Sequence, residues 1–196
     1  MSSISALENI HSQGKFGDYE NKDENDLLKI FEIKNLLIIQ IVQFKDSTVS
    51  SDNITINGLK LKNEALSVVS NDDTRILWNG PKNWLLVSKK KSIFKDIYEA
   101  FKETDFAVTD LSHARAIIEL EGQDVKEVLK KGCPFNFNSL DKNNSINSTF
   151  NGITFTLDML DNKPDKVRLL VLRSFGESFY HSITDASLEF GFKSIK

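Results

Sequence analysis

Apolar residues recur along this chain at two spacings, and polar turns separate the runs. Within Ile30 to Phe44, the run Leu36-Leu37-Ile38-Ile39 followed by Ile41 and Val42 predicts a strand buried on both faces, with a helix as the alternative. Arg75 to Trp78 and Trp84 to Val87 predict a hairpin around Asn79-Gly80-Pro81-Lys82-Asn83. Ile93, Phe94, Ile97, Tyr98 and Phe101 fall at helical spacing, with Ser88 or Ser92 available as a cap, and Phe106 to Asp110 returns as a strand.

From Ala114 the period is two: Ala116, Ile118 and Leu120 alternate with Arg115, Ile117, Glu119 and Glu121 until Gly122. Asp124 to Lys131 predicts a short helix on Val125, Val128 and Leu129, with Gly132 in the position of a left-handed cap. Asn151-Gly152 is a strong hairpin signal, because a type I′ turn needs positive φ at both central residues. Ile153 to Met159 and Val167 to Val171 are the strands that follow. In the last helix Ser174 and Glu177 predict a capping box, and Phe175, Phe179, Ile183, Ala186 and Phe190 form one stripe before Gly191. Hairpins mixed with helices predict an α+β fold of two lobes, with mixed or antiparallel sheets and helices packed on one side. Residues 1–26 are expected to be a polar N-terminal arm carrying only Leu7, Ile10, Phe16 and Tyr19. Residues 27–196 are expected to be a single two-lobed domain, divided into 27–110 and 111–196.

Composition narrows the partners. With 40% hydrophobic and 27% charged residues the 196-residue chain is globular in composition. A net charge of −3 with scattered Lys and Arg offers no stripe to neutralise phosphates, so nucleic acid is not an expected partner. No segment approaches the ~18 apolar residues of a membrane helix, and Met1 to Asn9 lacks a basic, then apolar, leader pattern. The single cysteine, Cys133, fits a reducing compartment, and a cytoplasmic location is expected.

Candidate chemistry is sparse. His11, His113 and His181 lie far apart without metal-ligand spacing, and no phosphate-binding glycine motif opens a helix. Asp110, Ser112 and His113 are the right residue types for a catalytic triad. Neighbours in an extended segment alternate faces, so Asp110 and Ser112 are expected to bind backbone amides instead. Trp78 and Trp84 are expected as a cross-strand or core pair, and Arg173 as the partner of a carboxylate within the chain or on another surface. No catalytic, cofactor-binding or metal-ligating residue is identified.

Three stretches carry a resemblance. Leu77-Trp78-Asn79-Gly80-Pro81-Lys82-Asn83-Trp84-Leu85 is one; Val108-Thr109-Asp110-Leu111-Ser112-His113-Ala114-Arg115, continuing through Gly122 to Lys131-Gly132-Cys133-Pro134, is the second; Leu172-Arg173-Ser174-Phe175 is the third. With Gly14-Lys15-Phe16-Gly17 they resemble, in order, the gamma-subunit family of heterotetrameric sarcosine oxidase. The second stretch also resembles the folate-binding superfamily of the glycine-cleavage T protein, which implies the same two-lobed α+β fold. Where active aminomethyltransferases of that superfamily carry a Gly-Gly pair and paired aspartates, this chain has Asn151-Gly152-Ile153-Thr154-Phe155. Asn57 to Ser70 departs from the Pro-containing, helix-like stretch usual in the family.

The resemblance implies a small structural subunit without its own cofactor. Larger alpha, beta and delta subunits would carry FAD, FMN, NAD, zinc and tetrahydrofolate, with alpha in direct contact. The complex would oxidise sarcosine to glycine, yielding hydrogen peroxide and 5,10-methylenetetrahydrofolate. Phe16, Trp78, Trp84, Asp110, Ser112, His113, Arg115 and Arg173 are the family-motif positions, expected at interfaces. The alternatives are a free-standing folate-binding or one-carbon transfer protein and a non-catalytic regulatory binding module.

Overall fold

A computed structural model describes residues 4–195. The chain starts with β1 (Gly14–Phe16) and β2 (Leu28–Glu32), and continues through β3 (Leu37–Gln43), β4 (Thr55–Ile56), β5 (Leu59–Lys60), β6 (Val68–Ser70), β7 (Thr74–Gly80) and β8 (Asn83–Ser88). Helix α1 (Phe94–Ala100) and β9 (Phe106–Asp110) come next. They are followed by β10 (Arg115–Glu121), α2 (Val125–Lys130), β11 (Ser145–Phe150), β12 (Ile153–Asn162), β13 (Asp165–Leu172), α3 (Gly176–Ser187) and β14 (Phe192–Ile195). The fold is α+β, as the periodicities predict.

Two compact units result. Unit 1 gathers residues 1–34, 114–142 and 147–196, and unit 2 gathers 35–113 and 143–146. This division differs from the expected arm and lobes at 26/27 and 110/111, and the first three residues of the expected arm lie outside the described residues. The physical reason is visible at Asn35, whose φ of +64° breaks the apolar run Ile30 to Phe44 into β2 of unit 1 and β3 of unit 2. β3 itself is buried on both faces, Ile38 and Ile39 alike, which selects strand over helix.

Unit 1 holds a seven-stranded sheet ordered β1-β14-β2-β10-β13-β12-β11. β14 runs parallel to β2, whereas β2, β10, β13 and β12 pair antiparallel in turn. Register partners point to one face, so Ala116, Ile118 and Leu120 share theirs with Val171, Leu169 and Val167. Helix α3 packs on β10 and β13, and α2 packs on β13 and α3. Phe179 and Ile183 of α3 are fully buried there, and Phe179 meets the Phe155 ring at 5.3 Å between centroids.

Two helix ends differ from expectation. A 3-10 turn over Arg173–Phe175 leads into α3 and leaves Phe175 at the cap position with no side-chain bond. Ser174 is therefore exposed inside that turn and no capping box forms, while Phe175 is 48% exposed rather than part of the buried stripe. Gly132 does not adopt positive φ. It is required because a Cβ there would lie 2.7 Å from Asn151 Oδ1 and 2.8 Å from the Phe150 ring. Asn151 and Gly152, at φ +48° and +84°, do make the predicted turn between β11 and β12.

Unit 2 is an antiparallel sheet ordered β6-β7-β8-β3-β9 with α1 against one face. Leu37, Ile39 and Ile41 of β3, Trp84 and Leu86 of β8, and Ile97 of α1 share its core. Helix α1 begins from a 3-10 turn with Ile93 at the cap position, and Ser88 Oγ instead accepts the Lys90 amide at 3.0 Å. Residues 57–70 contribute half of a small hairpin at Asn57-Gly58, both at positive φ, and then β6.

Candidate functional site

Unit 1 carries an open cleft of about 580 Å³ between residues 10–16, α3 and β14. Its apolar surface comes from Ile10, Phe16, Leu188 and Phe192; Tyr180, His181, Thr184, Asp185 and Asn151 supply polar edges. Phe16 and Phe192 are register partners of β1 and β14, and their rings stack at 5.2 Å.

Two glycines bring backbones together at one end of the cleft. A Cβ on Gly17 (φ +75°) would lie 2.1 Å from the Leu188 carbonyl oxygen, and one on Gly191 (φ +64°) 2.4 Å from that of Asp18. The Asp18 amide donates to the Leu188 carbonyl at 2.8 Å, which fixes the approach. Only glycine accommodates both the conformation and the distance.

Beneath the cleft His11 is buried. The Ile195 carbonyl, 2.9 Å from Nε2, can only accept, so Nε2 carries a proton, and Nδ1 lies 3.0 Å from the Tyr180 hydroxyl. Burial raises the Tyr180 phenol above its ordinary value, its Ser194 contact works against that rise, and the Glu32 carboxylate adds to it. On the surface Glu24 bridges Lys15 of β1, at 2.7 Å, and Lys193 of β14. These hydrogen-bonded ammonium groups, Lys15 first, hold its carboxyl down at about 2.

The Ser182 and Thr184 hydroxyls of α3 are committed to the helix's own backbone. Ser182 donates to the Ser178 carbonyl at 3.0 Å and Thr184 to that of Tyr180 at 3.0 Å. His181 and Asp185 stand one turn apart on the exposed face. Among the described residues no group of three His, Cys, Asp or Glu side chains is placed to hold a metal ion. No helix of the described residues is long and apolar enough to cross a membrane.

Of the motif positions singled out in the sequence, Phe16 alone lines this cleft. In unit 2, Trp78 and Trp84 face each other across β7 and β8. Trp84 is fully buried and donates from Nε1 to the Lys62 carbonyl at 2.9 Å, while half-buried Trp78 reaches Asn63 Oδ1 at 3.3 Å. Both indoles thus tie the 62–63 loop to the hairpin. Asp110 Oδ1 accepts the Ser112 amide at 2.8 Å and Ser112 Oγ accepts the Ile38 amide at 3.0 Å, the backbone role that alternation suggests. His113 is exposed.

Arg115 and Arg173 sit at one end of the unit 1 sheet. Arg115 opposes Leu172, and the Arg173 amide donates to the Ala114 carbonyl at 2.9 Å. The Arg173 guanidinium donates to the Ile4 carbonyl, and among the described residues it forms no ion pair with a carboxylate. Partial burial lowers the Arg115 guanidinium from its usual value. Cys133 is buried and its thiol donates to Ser148 Oγ at 3.2 Å.

A buried ion pair lies outside every sequence motif. On one sheet face Arg168 of β13 donates from Nε and Nη2 to Glu119 Oε1 of β10, at 2.9 and 2.7 Å, with both side chains under 10% exposed. Asp158 of β12, fully buried, opposes Arg168 in register. Lys166 bridges Glu121 at 3.0 Å and Glu119 at 3.6 Å. Burial alone would lower the Lys166 ammonium, but Glu121 and Glu119 outweigh it and raise it; Lys166 in turn lowers Glu121. The alternation of β10 and β13 carries this signal: charges at i and i+2 on facing strands.

Comparison with known proteins places this geometry. A model of the sarcosine oxidase, gamma subunit family matches residues 45–189. The sarcosine oxidase subunit gamma of Corynebacterium sp. (strain U-96) is 30% identical over 120 residues, which is 60% of this chain. The matched stretch spans 58% of that relative's length. In structure, the chain is similar to one of the heterotetrameric sarcosine oxidase from Corynebacterium sp. U-96 in complex with pyrrole 2-carboxylate. The TM-score is 0.81 at 21% identity, covering 95% of both chains. It is also similar to the glycine cleavage system aminomethyltransferase T from Bartonella henselae, with a TM-score of 0.60 at 13% identity over 82% of this chain and 46% of that one. These two likenesses establish the fold.

Proposed function

Because the chain belongs to the sarcosine oxidase, gamma subunit family, we propose that it is the gamma subunit of a heterotetrameric sarcosine oxidase in its own cell. The observation that carries this reading is the family match over residues 45–189, which includes the tryptophan hairpin, the Asp110 to Pro134 stretch and Arg173. Supporting it, the fold follows a chain of a heterotetrameric sarcosine oxidase along 95% of both lengths.

In this reading larger alpha, beta and delta subunits carry FAD, FMN, NAD, zinc and tetrahydrofolate, and alpha meets this chain directly in the cytoplasm. The complex oxidises sarcosine to glycine, reduces oxygen to hydrogen peroxide and passes the methyl carbon to tetrahydrofolate as the 5,10-methylene form. This chain contributes surface and stability rather than reacting groups. The alternative of a folate-binding or one-carbon transfer protein meets the segment Asn151 to Phe155, which offers no carboxylate where the resemblance to active aminomethyltransferases implies a pair.

Co-expression with the large subunits of the same organism, followed by purification through a tag on this chain, tests the reading. The expected preparation contains four kinds of chain and releases hydrogen peroxide from sarcosine, whereas the chain alone is colourless and releases none. A solitary monomer that binds folate overturns it.

A further inference from the structure

We infer that the cleft between residues 10–16, α3 and β14 is a docking groove for a partner-chain segment that presents a large apolar side chain beside a lysine or arginine. The inference rests on the subunit reading for the partner's identity and adds to it a surface and a recognition chemistry.

Shape and apolar content come first. Ile10, Phe16, Leu188 and Phe192 line an opening of about 580 Å³, and Leu188 remains 43% exposed at its edge. Apolar surface left in water gains roughly 25 cal/mol per Å² when covered. The groove is also already built: the Gly17 and Gly191 backbone contacts and the Phe16–Phe192 stack hold it. A partner therefore has little to order on this side, which favours affinity.

Charge identifies the occupant. Helix α3 contains no lysine or arginine, and it exposes Glu177 and Asp185. Asp18, bonded through its amide to Leu188, and Asp185, three residues before Leu188, are both exposed and form no ion pair among the described residues. The nearby lysines are engaged elsewhere. Lys15 and Lys193 hold Glu24, Lys131 holds Glu189, and Lys22 donates to the Phe190 carbonyl. Two exposed aspartates without an ion pair among the described residues, beside an apolar floor, are complementary to an apolar side chain flanked by a cation.

A small metabolite fits less well. Such ligands occupy enclosed pockets with polar groups converging on them. This cleft is open, and the hydroxyls of Ser182 and Thr184 are turned to helix carbonyls.

The test uses the co-expressed complex with Leu188→Asp and Asp185→Lys in this chain, each checked for folding by circular dichroism. Retention of the large subunits is expected to weaken at least tenfold for Leu188→Asp and several-fold for Asp185→Lys. Wild-type affinity should fall as salt rises, and the Asp185→Lys affinity should fall less. A photo-crosslinker at position 181 is expected to capture a large subunit. If Leu188→Asp fails to fold, Asp185→Lys on the exposed helix face and the crosslink decide. A wild-type chain that retains no large subunit defeats the subunit reading. Wild-type assembly with equal retention of both variants, or variants that change only self-association of this chain, overturns the groove alone.

Discussion

Replacing Leu7 by Ala tests whether the N-terminal segment is part of the unit 1 core. Leu7 is fully buried, and its carbonyl accepts the amides of Ile10 and His11 at 3.1 and 2.9 Å. It lies against the start of α3, where a Cβ on Gly176 would sit 3.7 Å from Leu7 Cδ2 and 2.9 Å from Ala116 Cβ. Removing three carbons loses about 2.4 kcal/mol of transfer free energy at ~0.8 kcal/mol each. The His11 bonds and the Gly17 contact hold the surrounding walls, so the site collapses little, and the total should reach about 3–4 kcal/mol. For a chain of this size that is a fall in Tm of roughly 6–16 °C. Both tryptophans lie in unit 2, so far-UV circular dichroism through a urea titration is the appropriate readout. A loss below about 1 kcal/mol would mean that the segment peels away before the unit unfolds, and the assignment of Leu7 to the unit 1 core would fail.

Three further outcomes are expected. Ser174→Ala should change the unfolding free energy by no more than about 0.5 kcal/mol, because Ser174 is exposed and caps nothing; a loss near 1 kcal/mol in urea would show a cap forming in solution. Arg168→Met should cost about 3–5 kcal/mol by leaving Glu119 buried with Lys166 at 3.6 Å as its nearest cation, and an unchanged urea midpoint would contradict the buried pair. Glu24 has a folded-state pKa of about 2, below its ordinary 4.5, so its contribution is present above pH ~4.5 and disappears as pH falls through about 2. Glu24→Gln should therefore flatten the acid limb of stability between those values, and an acid limb identical to wild type in thermal melts would refute the clamp.

Legibility in the sequence followed the range of the interactions. Local signals sufficed for β10, whose two-residue period survives in the register with β13, and for the Asn151-Gly152 hairpin. The same Asn-Gly signal at Asn57-Gly58 makes the β4–β5 turn, where the flanking residues are too polar and the strands too short to mark a hairpin. Asn35 divides the units, yet one residue in a left-handed conformation leaves hardly a trace in an apolar run. The N-terminal segment was opaque for a different reason. Its few apolar residues are sparse for a local core, and the surface they use belongs to α3 and β14, more than 150 residues away. β14 itself, four residues directly after Gly191, is too short to carry a period, and without it neither β1 nor the cleft has a partner strand.

Of the groups with displaced protonation, Tyr180 lines the cleft and the others lie outside it. A catalytic acid or base needs a pKa brought toward the working pH, where it can give and take protons. The displaced carboxyls here move the other way. Glu24 is lowered chiefly by Lys15, Glu121 by Lys166, Asp161 by Lys142 and Asp105 by Ser47. Lys166 and Tyr180 are raised, further from neutrality. Each of these groups is held more firmly in the charge state it already has at pH 7. Fixed charges fasten strands and steer partners, and they do not shuttle protons. The unpaired Asp18 and Asp185 are expected to work as electrostatic contacts at a protein surface, with a dependence on salt.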